Sequence, residues 1–489
     1  MATNNMPECV VLYGDCLTEM GKIPDGSIDT IITDPPYGLS KEPDIAEVLT
    51  HWLAGDDYEH KGGGFMGKSW DSFVPGPSVW RECFRVLKPG GTALVFAGSR
   101  TQDLMGISLR LAGFSIFDTI MWIYGSGFPK STNISKQLDK GHKREVIGYE
   151  KDTAPDLRDV GAMSKENAGI DKLSFGQNHR PAVRTKVGIT APATPEAQLW
   201  DGWGTHLKPA FEPIICCRKP NDGTYANNAL VHGVSGLNID GARIGYEVGG
   251  NAASNPLYRK ENGYKTKCGG DKNPTSFKVR DEAQEMNINL KGRFPANVIL
   301  DEEAGRMLDE QTGSVDGDTR KSKSTYDKGA WGNMGAVQSN ALYNDKGGAS
   351  RFFYCAKASK KERNAGCEDL EEKRGSDDYR PGDDGSSGMQ SRLHGATKKG
   401  TNHHPTVKPL ALMEYLCTLT KTPTGGIVLD PYAGSGTTGV ACINTGRHSV
   451  LIEKESTYWS IIDKRIANAL ATERVINEKN ISSNSIQPS

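Results

Sequence analysis

The 489-residue chain has almost no net charge: 59 Lys and Arg against 60 Asp and Glu leave -1. This excludes a uniformly basic coat for nucleic acid and an acidic solvating polymer. Cysteine is sparse, ten in all. None are spaced C-x-x-C, and Cys216 and Cys217 are adjacent. The expectation is reduced, buried thiols, with no disulfide scaffold and no metal site. No apolar run approaches the ~18 residues that cross a membrane. The opening MATNNMPECVVLYGD has no basic stretch followed by an apolar one, so no signal peptide is expected. Hydrophobic residues are only 36%, so part of the chain should be loop. The length predicts two to four units, or one enzyme domain with large insertions.

What is present is unevenly distributed. Residues 1–130 carry 10 basic and 16 acidic side chains, residues 131–404 carry 41 and 37, and residues 405–489 carry 8 and 7. The first segment alternates strands at Val10–Tyr13, Ile28–Thr33, Thr92–Phe96 and Phe117–Ile123 with helices at Cys16–Lys22, Ser78–Leu87 and Thr101–Ala112. Lys88-Pro89-Gly90-Gly91 should stop the second helix. The alternation resumes at Leu410–Leu419 (helix), Ile427–Leu429, Thr437–Thr445 (helix), Ser449–Ile452 and Tyr458–Leu470 (helix). Between them periodicity fades. Leu207–Arg218, Phe294–Leu300 and Arg351–Ala356 are the strand candidates there. Segment 375–400 is polar and expected to be mobile, and the tail after Ala471 to fray. The whole reads as one α/β parallel-sheet domain split by a long insertion.

Residues 427–439 read IVLDPYAGSGTTG. A strand ends in Asp430, glycines 434, 436 and 439 fit G-x-G-x-x-G, and Glu453 ends the next strand 19 residues after Gly434. Glycines let backbone approach a ligand, and the acid suits a ribose diol. No Lys follows the glycines as a phosphate loop requires. A dinucleotide and S-adenosylmethionine both remain. Asp430 and the bulky Pro431-Tyr432 suit an ammonium partner better than a pyrophosphate.

Residues 28–40 read IDTIITDPPYGLS. An apolar strand runs into Asp34-Pro35-Pro36-Tyr37, where two prolines fix the backbone. The Asp34 carboxylate and the Pro35 carbonyl are two acceptors beside the flat Tyr37 ring. They match a planar ring bearing an exocyclic amino group.

With these motifs the chain resembles the amino-group DNA methyltransferases that use S-adenosylmethionine. TDPPYGLS is similar to the family's catalytic motif and LDPYAGSGTTGVA to its cofactor motif. His404–Leu410 (HPTVKPL) resembles the motif that lines the methionine end. Tyr13-Gly14-Asp15-Cys16-Leu17 resembles the one whose acid approaches the adenine ring. Catalytic motif first and glycine motif last is the permuted, beta-class order. Residues 204–220 and 350–364 look like methylases of phage or prophage type.

The resemblance implies a Rossmann-like, seven-stranded, circularly permuted α/β fold with one reversed strand. It implies methyl transfer to the N6 amino group of a flipped-out adenine, since Asp rather than Ser opens the motif. Tyr37 would stack on the base, and Asp34 and Pro35 would accept from its amino group, with Pro36 fixing the turn. Asp430, Pro431, Tyr432, Ala433, Gly434, Ser435, Gly436, Thr437 and Thr438 would wrap the cofactor. Glu453 would take the ribose hydroxyls, Lys454 and Asp15, with Cys16, the adenine, and Thr406 and Lys408 the methionine carboxylate. The partners implied are double-stranded DNA and no membrane, in the cytoplasm of a bacterial or phage-infected cell. A homodimer is left open.

Residues 1–130 and 401–470 would form the two halves of the core, and 131–220 an insertion returning to a core strand. Residues 221–400 would be the DNA target-recognition region, and 471–489 a flexible tail. Basic clusters there are Arg259-Lys260 with Lys265 and Lys267, Arg320-Lys321 with Lys323, Lys357, Lys360, Lys361 and Arg363, and Lys398-Lys399. The glycine-rich Gly64–Asp71 is a candidate loop near the target base. Alternatives are N4 transfer to cytosine, another amino-group methyltransferase, a dinucleotide oxidoreductase, which leaves Asp-Pro-Pro-Tyr without a role, and a non-catalytic DNA-binding protein.

Overall fold

The computed structural model describes residues 7–38, 43–60, 71–127, 131–149, 188–245, 292–314, 347–356, 362–372 and 401–484. Segment 375–400, residues 64–70 and the basic clusters other than Arg363 lie outside the described residues. The chain divides into two compact units, Met1–Ser126 with Ala210–Ser489, and Gly127–Pro209.

The described strands are β1 (Cys9–Tyr13), β2 (Ile28–Thr33), β3 (Leu87–Phe96), β4 (Ser115–Ile123), β5 (Val146–Tyr149), β6 (Gly188–Thr190), β7 (Phe211–Arg218), β8 (Val298–Asp301), β9 (Tyr354–Ala356), β10 (Ile427–Asp430) and β11 (His448–Glu453). Nine form one sheet in the order β1-β11-β10-β2-β3-β7-β4-β8-β9. Only β7 is antiparallel to its neighbours; every other pairing is parallel. The first seven strands of that order are the expected Rossmann-like core, and β8 and β9 extend it at one edge. In the smaller unit β5 and β6 pair antiparallel.

The central strands are buried on both faces, as continuous apolar runs require. Neighbouring residues alternate between two cores. Ile31, Val95 and Ile215 join one face, while Ile32, Leu94, Phe96 and Ile214 join the other. Helix Pro77–Val86 packs Trp80 and Cys83, both fully buried, on the first face. Helix Leu410–Leu419 covers the second with Leu412 and Leu416.

Three local expectations change. Lys88–Gly91 ends the helix but already belongs to β3, whose register with β2 shifts between Ile28 and Thr30. The last helix does not stop at Leu470 but runs Ser456–Asn484. Ala471–Lys479 are mostly good helix formers with no Gly or Pro, so nothing local ends it. Helices at Ile45–Ala54, Tyr225–His232 and Glu302–Thr312 were not expected, although the first carries an apolar stripe of Ile45, Val48, Leu49 and Trp52 that packs on the core. Asp44, Thr224 and Asp301 cap them by accepting from backbone N–H groups.

The two sequence halves meet at the β2–β10 pair, where Thr30 faces Val428 and Ile31 faces Leu429. Arg447 is fully buried beneath this seam. Its guanidinium donates to the Gly425 and Cys417 carbonyls and to the Thr420 and Thr30 hydroxyls, at 2.9–3.0 Å. Asp29 accepts from the Ile427 N–H and from Lys88, both at 2.7 Å. A buried cation and a buried anion are thus each satisfied by groups from both halves.

Candidate active site

From the β2–β10 pair the sheet grows in opposite directions, to β11 on one side and β3 on the other. In an open α/β sheet such a switch point leaves a crevice beyond the carboxyl ends of the strands. Here Asp430 ends β10 and Asp34 follows β2. A cavity of about 310 Å³ opens beside them. Asp34, Lys408, Asp430 and Glu453 supply its charged walls together with Asp15, Lys454 and Glu455.

The glycine loop closes one side. Asp430 is 2% exposed and accepts from the Thr33 hydroxyl at 2.7 Å, the Tyr432 N–H at 3.1 Å and the Thr438 hydroxyl. Burial still lifts its pKa to about 6, against the pull of Thr438 and Thr33. Glu453 accepts from the N–H groups of Gly434 and Glu455, both at 2.7 Å. Burial raises it to about 7 despite those donors. Gly434 has φ +55°, and a Cβ there would lie 2.8 Å from His404 Nε2. Gly439 serves packing: its Cβ would lie 2.6 Å from Leu451 Cδ1.

The Asp-Pro-Pro-Tyr turn closes the other side. Asp71 accepts from the Tyr37 N–H at 2.8 Å, and the Thr101 hydroxyl donates to the Tyr37 carbonyl at 2.7 Å. The Tyr37 hydroxyl donates to Asp34 Oδ1 at 2.8 Å and lies 3.0 Å from Glu212 Oε2. Lys408 Nζ is 2.7 Å from Asp34 Oδ2, 3.3 Å from Glu212 and 5.3 Å from the Tyr37 ring centre. Burial, with Lys408 opposing and Glu212 adding, pushes the Asp34 carboxyl up. Burial works against the Lys408 charge, but Asp34 and Glu212 outweigh it and raise its pKa.

Most of the residues singled out from the sequence meet at this cavity: Asp15, Cys16, Asp34, Pro36, Thr406, Lys408, 430–435, Thr437, Thr438, Glu453 and Lys454. Pro35, Tyr37 and Gly436 are not in its lining; Gly436 caps helix Thr437–Asn444 against Ile462. Lys408, expected at the methionine carboxylate, is paired with Asp34 and Glu212, two half-buried anions within its reach. Asp15 caps helix Cys16–Met20 through the Leu17 N–H and pairs with Lys454 at 3.2 Å. Arg363, counted among phosphate-binding clusters, turns inward to the carbonyls of Asn402 and His404.

Three contributors went unread. Glu212 sits in AFEPIICC, where only the apolar run drew notice. His404 lines the cavity, edge-on to Tyr458 at 4.5 Å. Burial first, then nearby Lys408 and Arg363, lower its pKa to about 3, so the ring is neutral at pH 7. It stood in a quoted motif without a role. Arg465 donates to the Ser435 carbonyl, the Ser435 hydroxyl and the Thr437 hydroxyl, and no local signal marks it.

A mostly parallel sheet with one reversed strand, and a cavity at its switch point walled by two strand-end carboxylates, defines an α/β class that binds its ligand at the carboxyl ends of the strands. The profile of the DNA methylase family, N6 and N4 type, matches residues 28–464, and the chain belongs to that family. Over 114 residues it is 31% identical to the type II methyltransferase M.HinfI of Haemophilus influenzae, covering 23% of this chain and 30% of that protein. Over 69 residues it is 42% identical to the type II methyltransferase M2.DpnII of Streptococcus pneumoniae, covering 14% and 25%. The matched segments thus span less than a third of those relatives. Among solved structures, an M1.HpyAVI–SAM complex aligns at 13% identity and TM-score 0.32, over 94% of this chain and all of that one. The PvuII cytosine-N4-specific DNA methyltransferase aligns at 11% and 0.36, over 96% and 95%. At those scores neither likeness bears on the site.

Proposed function

We propose that this protein transfers a methyl group from S-adenosylmethionine to the exocyclic N6 amino group of adenine in double-stranded DNA. The observation that carries the reading is the meeting of Asp34 with Asp430 and Glu453 on one cavity, at adjacent strand ends. The motif order assigns the chain to the beta class, and residues 204–220 and 350–364 to a phage- or prophage-type methylase, of the kind found in restriction–modification. Residues 1–130 and 401–470 are the two core halves, and 221–400 is the DNA-recognition region.

The cavity fits the cofactor. Its glycine-loop side presents two carboxylates and, among the described residues, no cluster of cations, which suits a cationic zwitterion with a ribose better than a pyrophosphate. When bound, S-adenosylmethionine supplies an electrophilic methyl on a sulfonium that leaves as a neutral thioether. Glu453 takes the ribose hydroxyls, and its anchoring by two N–H groups fixes its direction. Residues 430–438 wrap the amino acid and ribose, with His404 and Thr406 on the facing wall.

The target base leaves the duplex, because its amino group cannot reach Asp34 from inside the stack. Tyr37 stacks on it. Asp34 and the Pro35 carbonyl accept the amino hydrogens and aim the nitrogen lone pair into the cavity. Most of the rate comes from this orientation and from exclusion of water. Incubating purified protein with unmethylated duplex DNA and labelled S-adenosylmethionine, then identifying the labelled nucleosides, tests the proposal. N6-methyladenine is expected. Label in N4-methylcytosine, or none in DNA, overturns the adenine assignment or the activity.

A further inference from the structure

Asp34 meets the target amino group in the reading above, yet both of its oxygens already hold strong donors. Oδ1 accepts from the Tyr37 hydroxyl at 2.8 Å and Oδ2 from the Lys408 ammonium at 2.7 Å. Each oxygen keeps a second lone pair, but an amino hydrogen that shares Asp34 with an ammonium and a hydroxyl makes a weaker bond than one that meets it without them. Both donors have the same second acceptor within reach. Glu212 Oε2 is 3.0 Å from the Tyr37 oxygen and 3.3 Å from Lys408 Nζ.

We infer that Glu212 is a positioning residue that takes Lys408 and the Tyr37 hydroxyl over from Asp34 as the target amino group arrives. The exchange keeps the ammonium beside a carboxylate throughout, so it avoids the cost of a stranded buried charge. It leaves an Asp34 oxygen open to an amino hydrogen. No bond to carbon or sulfur is involved and no proton changes owner: two donors pivot between two acceptors. The three side chains are 10%, 19% and 23% exposed for Lys408, Asp34 and Glu212, so bulk water is a poor substitute for Glu212.

The reversed strand makes this possible. β7 runs against β3 and β4, so its start, not its end, lies at the edge where the parallel strands finish. Glu212 pairs with Trp122 near the end of β4, and Ile214, two residues on, pairs with Phe96 at the end of β3. A parallel β7 would carry its first residues to the opposite edge of the sheet. The site thereby acquires a carboxylate 175 residues from Tyr37 in sequence.

The inference rests on Asp34 being the amino-group acceptor, so two variants are read together on duplex DNA with labelled S-adenosylmethionine. Asp34→Asn should lose transfer; if it keeps wild-type turnover, the reading of the site fails before Glu212 matters. Glu212→Gln keeps the shape and removes the charge. Its kcat should fall about 10-fold or more, with KM for DNA and cofactor binding within about 2-fold of wild type. If Asp34→Asn is inactive and Glu212→Gln keeps its kcat within about 2-fold, the handover is wrong and the site reading stands. If Glu212→Gln loses cofactor or DNA binding as much as turnover, Glu212 holds the fold or a ligand and the handover is equally wrong. Should the Gln variant fail to fold, Glu212→Asp, which keeps the charge but shortens the reach, must show the same split between kcat and KM.

Discussion

The Thr33 hydroxyl donates a 2.7 Å hydrogen bond to Asp430, across 397 residues of chain. One group ends the strand that leads to Asp34, and the other ends the strand that leads to the glycine loop. Both are buried. This bond fixes the spacing between the two motifs on which the proposed chemistry depends.

Thr33→Val keeps the shape and removes that donor. A buried carboxylate losing one of its partners should cost about 1–3 kcal/mol of unfolding free energy. With one fewer donor to the charged form, the Asp430 carboxyl should rise further above about 6. Urea denaturation and cofactor titration check this. Unchanged stability and affinity would show that the bond does not tie the halves together.

Asp34→Ala should lower methyl transfer by at least about 100-fold while S-adenosylmethionine binding stays within about 3-fold. Lys408 keeps Glu212 as a partner at 3.3 Å, so the cation is not stranded. Single-turnover labelling and equilibrium binding separate the two effects. An active variant would remove Asp34 from the catalytic role.

Gly434→Ala meets two penalties. Its backbone lies at φ +55°, which costs an L side chain about 1 kcal/mol. Its new Cβ would press on the His404 ring at 2.8 Å, in the cavity wall. The cofactor should bind at least about 10-fold more weakly, and His404→Ala in the same chain should recover only part of that loss, since the strain remains. Isothermal titration of both variants decides; full recovery would mean that strain is irrelevant.

Glu453 should make the ligand-free protein less stable as pH rises. Its ordinary pKa of 4.5 is lifted to about 7 by burial. Between those values the folded state holds a proton that the unfolded chain has released, so unfolding free energy falls with increasing pH. Glu453→Gln should flatten that slope by on the order of 2 kcal/mol in total, leaving a smaller slope from Asp430. Ribose hydroxyls donating to Glu453 would favour its charged form. Cofactor binding near pH 7 should therefore release part of a proton, seen as a binding enthalpy that varies with buffer. Denaturation from pH 5 to 8 and calorimetry in two buffers test it. An identical pH slope in wild type and variant would remove Glu453 as the cause.

The strands β2, β3, β7, β10 and β11 were readable because a doubly covered sheet needs continuous apolar runs, and such runs are local. The motifs at their ends were readable for a related reason: prolines and glycines constrain backbone wherever they stand. The helix at Ile45–Ala54 was missed although Ile45, Val48, Leu49 and Trp52 recur at helical spacing, and that at Glu302–Thr312 because it has few apolar residues and rests on its Asp301 cap. The helix beyond Leu470 was misjudged because its polar residues were read as loop, although they are good helix formers.

The amino-acid sequence alone determined the α/β alternation, the rigid turn bearing Asp34 and the loop bearing Gly434, since each depends on residues within a dozen positions. Only the tertiary structure decided what surrounds them. It set Asp430 against Thr33, placed Lys408 beside Asp34, and brought Glu212 to the same carboxylate's partners. Those pairings follow from strand order and from the reversal of β7. A buried charge takes whichever opposite charge the fold places within reach, whatever its distance along the chain.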